Sequence, residues 1–162
     1  MHGADHVGSG TIRGARIVGV VCAILFFAPI PLSLAFPAAF LYRPYHVTYE
    51  RMFGATLFAL GLGLLLAARE PVRNAGVYAV TGLVAGCLTA AIVYALVVEG
   101  ADPLHWFVQV PLLGLTAVSL VMTYTRLRRP HPVVVRIVVA AVVLLPAGLY
   151  LYDAVYKAVV PR

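Results

Sequence analysis

Few residues of this chain could do chemistry, and their placement narrows what that chemistry would be. The five histidines are His2, His6, His46, His105 and His131. A membrane haem needs two imidazoles on facing helices at similar depth. His46 and His105 flank apolar stretches at one level, the first in a loop and the second in the opening turn of the following stretch. They could approach each other as a peripheral metal or quinone-headgroup site. Glu50, Arg51, Trp106 and Gln109 lie near that level and, with His46, form a candidate site for a small ligand or lipid headgroup. Each also has a plainer role. The histidines suit an interface as polar residues, Glu50 opposes the dipole of the helix it opens, and Gln109 can hydrogen-bond a neighbouring helix. Cys22 and Cys87 stand in separate apolar stretches with no CxxC or Cys/His spacing, so they read as small buried residues rather than redox or zinc ligands. No motif names a reaction, and the expectation is that the chain is not an enzyme.

The elements that must position these residues are set by where charge is missing. The 162-residue chain is 62% hydrophobic and 11% charged, too few polar residues to cover a water-soluble core. Every Lys, Arg, Asp and Glu lies outside five stretches, 17–42, 52–68, 74–98, 103–125 and 137–152. A bilayer's hydrocarbon core is about 30 Å thick, so roughly 20 apolar helical residues cross it. Four stretches approach or exceed that length, and the fifth does so if Arg136 snorkels from the turn after Pro132. The reading is an all-α polytopic membrane bundle of five helices, about 11–31, 51–68, 74–98, 103–126 and 132–156. The first four form a core and the fifth is a C-terminal addition, in a single transmembrane domain (11–160) behind a cytoplasmic tail (1–10). A signal peptide is disfavoured, because the first stretch is longer than an h-region and no A-x-A site follows it.

Loop charge orients the spans. Arg13, Arg16, Arg69, Arg73, Arg126, Arg128, Arg129 and Arg136 fall on one side. Arg43, Arg51, Lys157 and Arg162 fall on the other, with Glu50, Glu99, Asp102 and Asp153. The positive-inside rule then puts the N-terminus in the cytoplasm and the C-terminus outside, in a bacterial cytoplasmic membrane. A girdle of Tyr42, Tyr45, Tyr49, Trp106, Tyr150, Tyr152 and Tyr156 at the outer ends agrees. Arg126, Arg128, Arg129 and Arg136 are expected to contact anionic lipid, and the basic excess calls for the bilayer rather than nucleic acid. Pro29, Pro31 and Pro37 predict that the first helix stops at Ala28–Pro31 and that a broken interfacial segment, Leu32–Tyr49, follows. Gly82, Gly86 and Ala90, four apart, predict a packing stripe, with Gly54, Gly61 and Gly63 as its counterpart. No charge stands at mid-membrane, which counts against proton-coupled transport.

The run Tyr49-Glu-Arg-Met-Phe-Gly-Ala-Thr-Leu-Phe-Ala-Leu-Gly61, then Ala-Arg-Glu-Pro71, then Asp102-Pro-Leu-His-Trp-Phe-Val-Gln-Val-Pro-Leu113, resembles small bacterial four-helix membrane proteins of the DoxX-like kind. The resemblance covers about residues 10–128 and implies an architecture, not an activity; the fifth span departs from it. The resulting expectation is a non-catalytic accessory subunit of a larger membrane complex, packing against other subunits and sealing bound lipid or cofactor. The tail 1–10 has nothing of its own to pack against, so a neighbouring subunit is what would order it. Two alternatives stand beside this: a small-molecule or lipid carrier with its site at the outer mouth, and a redox protein contacting quinone, pigment or haem.

Overall fold

The computed structural model describes residues 8–36, 46–101 and 107–159. Every element among them is helical: α1 (Ser9–Phe27), α2 (Pro29–Ala35), α3 (Val47–Arg69), α4 (Ala75–Tyr94) continued by a π-helical turn (Ala95–Glu99), α5 (Gln109–Arg128) and α6 (Pro132–Val159). Five helical stretches are long and apolar enough to cross a membrane: Ser9–Ala35, Val47–Arg69, Ala75–Glu99, Gln109–Arg128 and Pro132–Val159. Large apolar side chains such as Ile24, Leu66, Val80, Leu115 and Val143 are exposed along them, as a bilayer requires of a surface that faces acyl chains.

The first helix ends at Phe27, close to where its prolines predict, but the segment after it is helical rather than broken. Ala28 keeps right-handed helical dihedrals, its N–H donates to the Ile24 carbonyl, and Leu32 N donates to Ala28 O. Pro29 occupies the first position of α2, where the N–H it lacks would have had no required partner. Helix therefore runs to Ala35, beyond the break expected at Leu32. The other end of the expected interfacial segment also changes, since Val47, Thr48 and Tyr49 are already the first turn of α3. Residues 37–45, which include Pro37, Tyr42, Arg43 and Tyr45, lie outside the described residues, as do the tail 1–7 and residues 102–106 and 160–162.

The chain divides into two compact units. The first comprises residues 1–81 and 119–129. Within it α1 and α3 pack antiparallel along small residues. Ala15, Gly19, Cys22, Ala23 and Phe26 form the buried stripe of α1, and Leu57, Gly61, Leu64, Ala67 and Ala68 that of α3. Spacings of three and four keep each stripe on one helix face. Two glycines set how close the helices come. A Cβ on Gly19 would stand 3.2 Å from Ala68 Cβ, and one on Gly61 would stand 2.8 Å from the Phe27 ring. Phe27 also meets Phe58 in a tilted pair, 5.5 Å between centroids. The start of α4 closes the same unit through Tyr78, which is fully buried and donates its hydroxyl to the Ala15 carbonyl at 3.0 Å.

The second unit comprises residues 82–118 and 130–162. Gly82, Gly86 and Ala90 lie on α4, with Gly82 and Ala90 buried, so the predicted small-residue stripe is a packing surface. Its counterpart differs from expectation. A Cβ on Gly86 would meet Val142 of α6 at 3.2 Å and Ala117 of α5 at 3.8 Å, whereas Gly61 faces Phe27 and Gly54 faces open space. Gly61 of α3 serves α1, Gly63 of α3 approaches only Val77 at the start of α4, and Gly86 of α4 serves α5 and α6. Gly114 stands opposite Thr89, which makes α4 and α5 antiparallel. Near their C-terminal ends, Tyr94 of α4 donates to Asp153 Oδ2 of α6 at 2.5 Å, so those two helices run parallel. The π-helical turn that follows Tyr94 ends at Gly100, whose left-handed φ of 69° favours glycine.

Candidate functional site

Arg13, Arg16, Arg69, Arg73, Arg126 and Arg128 of the first unit gather toward one end, where α1 and α4 begin and α3 and α5 finish, whereas Arg51 stands at the start of α3. Arg16 Nη2 donates to the Arg69 carbonyl at 3.3 Å, placing a cation on the last turn of α3, where the helix dipole is negative. Arg73 pairs with Glu70 at 3.5 Å across an exposed turn, a contact of the kind worth about 0–1 kcal/mol. Arg126 lines a groove of about 270 Å³ with Thr11, Gly14 and Thr123. Gly10 and Gly14 leave that groove open, since a Cβ on either would meet nothing within 4 Å. Arg128 is exposed on the last turn of α5, and Arg129 follows in the left-handed region with φ 44°, stopping the helix before Pro130. Three of the four arginines expected at anionic lipid thus share this end. Arg136 is exposed in the second turn of α6, in the second unit.

Of the other group of candidate residues, the first unit describes His46, Glu50 and Arg51. His46 caps α3: its Nδ1 accepts from Thr48 N at 3.3 Å and its ring tilts against Tyr49. Glu50 is in the first turn of α3 and Arg51 is exposed beside it, and neither pairs with another charge among the described residues. Gln109 opens α5 in the second unit. Trp106, His105 and Asp102 lie outside the described residues, as do His2 and His6. His131 repeats the capping of His46, accepting from Val133 N at the start of α6. Among the described residues, no three His, Cys, Asp or Glu side chains gather as a metal site would require.

Most hydroxyls inside the spans are occupied. Thr89, Thr116 and Thr123 donate to the carbonyls of Ala85, Leu112 and Ser119, four residues back. What the sequence reading missed is the pair of cross-helix tyrosines. Tyr78 and Tyr94 stand in apolar runs where nothing local marks their partners, which lie 63 and 59 residues away. The signal available was general: a tyrosine buried in lipid or protein finds an acceptor for its hydroxyl.

These features fit an integral membrane protein of the polytopic helical class. No protein family, curated protein or solved structure matches the chain.

Proposed function

We propose that the chain is a non-catalytic accessory subunit of a larger membrane complex, oriented N-in and C-out in a bacterial cytoplasmic membrane. One observation carries this reading. Helix α6 is 28 residues long and has no buried residue. It rests on its own unit along a narrow line that includes Val142 and Asp153, and leaves Ile137, Val143, Leu144, Leu151 and Val155 exposed. A span that contributes so little to its own chain's core suits a surface built for neighbouring helices, with van der Waals packing as the driving force. The orientation is supported by the arginines gathered at one end of the first unit, which suit the leaflet rich in anionic lipid. The likeness of the runs 49–61 and 102–113 to DoxX-like proteins bears on architecture alone.

The test is extraction of the full chain in mild detergent under cross-linking from positions 143 and 151 on α6. The expected result is recovery of one or more membrane proteins in fixed stoichiometry, lost when Val143→Ser and Leu151→Ser are combined. A monodisperse monomer that keeps its packing without partners would overturn the proposal.

A further inference from the structure

A second groove lies between α3 and α4 in the first unit, and its chemistry differs from that of the apolar faces around it. It encloses about 520 Å³ and is open to the surface. Its walls are apolar, formed by Ala59, Leu60, Val77 and Val80. It exists because Gly63 and Gly76 lack side chains: a Cβ on Gly76 would meet nothing within 4 Å, and one on Gly63 would reach only Val77, at 3.7 Å. At the end where α4 begins stand Arg73 and Asn74. The first turn of α4 holds no acidic residue, so the positive end of that helix adds to the field of Arg73. Two turns along α4 the groove is bordered by Thr81, which is 2% exposed. Its hydroxyl makes no hydrogen bond among the described residues, whereas Thr89 at the next such position of α4 bonds back to its own helix. A buried hydroxyl without a partner is costly, and an acceptor lying in the groove would satisfy it.

We infer that this groove is a binding site for one anionic glycerophospholipid, with an acyl chain between α3 and α4 and the phosphate at Arg73 and Asn74. A phospholipid supplies what the groove asks for: an anion at the headgroup end, ester carbonyls below it as acceptors, and a chain for the apolar walls. The competing group is Glu70, whose carboxylate lies 3.5 Å from Arg73 Nη1. That contact uses one of the five N–H donors of the guanidinium, and both side chains are largely exposed. The site does not depend on any partner subunit.

The test titrates the purified full chain with phosphatidylglycerol, and separately with diacylglycerol of the same chains, counting bound lipid by native mass spectrometry. Wild type should take up one phosphatidylglycerol in preference to diacylglycerol. Arg73→Gln should weaken that uptake about fivefold, the effect of one interfacial cation. Glu70→Gln should strengthen it, which a purely structural Arg73 would not do. Gly76→Leu, a side chain placed in open space, should abolish it while Cys22 stays protected from thiol reagents, showing that the packing is intact. Arg13→Gln, at an exposed cation of α1, serves as the control for nonspecific charge. Equal uptake of diacylglycerol, equal weakening by Arg73→Gln and Arg13→Gln, or unchanged binding in Gly76→Leu would each overturn the assignment.

Discussion

The tightest place in the first unit is the crossing of α1, α3 and α4 at Gly19, and it yields a prediction with a definite sign. A Cβ at position 19 would stand 2.7 Å from the Tyr78 hydroxyl oxygen, 3.2 Å from Ala68 Cβ and 3.3 Å from Tyr78 Cζ. Gly19→Ala gains about 1 kcal/mol of helix propensity, but inserting a methyl into a packed site costs about 1–3 kcal/mol. The Tyr78 hydroxyl cannot simply retreat, because it is held to the Ala15 carbonyl one turn away. The net effect should be destabilising by about 1 kcal/mol or more. Tyr78→Phe removes that hydrogen bond and should cost about 0.6–1 kcal/mol by itself. It also removes the atom at 2.7 Å, leaving contacts at 3.2 and 3.3 Å that shifts of a few tenths of an ångström relieve. The double variant should therefore be more stable than the sum of the single effects, by about 1 kcal/mol. The chain carries its own reporter: Cys22 is a free thiol, 3% exposed, one turn along α1 from Gly19. In a Cys87→Ser background, maleimide labelling of Cys22 across an SDS titration reads the opening of this packing. Strict additivity, or a Gly19→Ala variant as stable as wild type, would refute the argument.

Two further predictions use other contacts. Gly61→Ala should destabilise the α1–α3 pair by about 1–3 kcal/mol, since the new methyl meets the Phe27 ring at 2.8–3.1 Å. Gly54→Ala on the same helix, with nothing within 4 Å, should be neutral or slightly stabilising in the same labelling assay. In the second unit, Asp153→Ala should loosen α6 from α4, whereas Asp153→Asn, which keeps an acceptor for Tyr94, should do so less. The readout is the rate of disulfide formation in a Gly86→Cys, Val142→Cys variant lacking the native cysteines, whose positions already lie at contact distance. Equal rates in Asp153→Ala and its parent would remove the Tyr94–Asp153 pair from any role in seating the helix.

The spans were legible because lipid imposes a rule on composition that holds one residue at a time: charge leaves the hydrocarbon. The partners within the bundle were not, because pairing depends on which helix faces which. Gly61 reads in sequence as a small residue on a small-residue helix, and only the antiparallel register of α1 and α3 sets it on Phe27. Pro29 illustrates a different limit. Proline forbids one hydrogen bond, and a helix that restarts its count at Ala28 does not need that bond, so chain direction changes less than composition suggests. The candidate residues near the start of α3 divide in the same way. His46 was recognisable as a polar residue beside a helix start, but its capping bond to Thr48 follows from a local geometry that no spacing announces. The arginines were legible as a group, since loop charge is counted by side; the groove that one of them lines with Thr11 and Thr123 was not.

The buried hydroxyls give a stronger reason to look at the groove between α3 and α4 than its volume does. Among the described residues the buried ones belong to Tyr78, Thr81, Tyr94, Thr116 and Thr123. Tyr78, Thr116 and Thr123 donate to backbone carbonyls and Tyr94 to Asp153, each at 3.0 Å or less. In a chain that places so few polar atoms in its spans, this pairing follows the cost of leaving a donor unmet in a low-dielectric interior. Thr81 departs from the pattern with the same side chain, on the same helix, as Thr89, which finds its acceptor one turn back. Helix geometry alone therefore does not explain the unpaired hydroxyl. The difference between the two positions is that Thr81 borders an opening with a guanidinium at its far end. Replacing Thr81 by valine, nearly isosteric, separates two explanations. If the hydroxyl is a defect of packing, Thr81→Val stabilises the chain and leaves phosphatidylglycerol uptake unchanged. If it meets the bound lipid, stability without lipid rises and uptake weakens, which is the outcome the groove's chemistry requires.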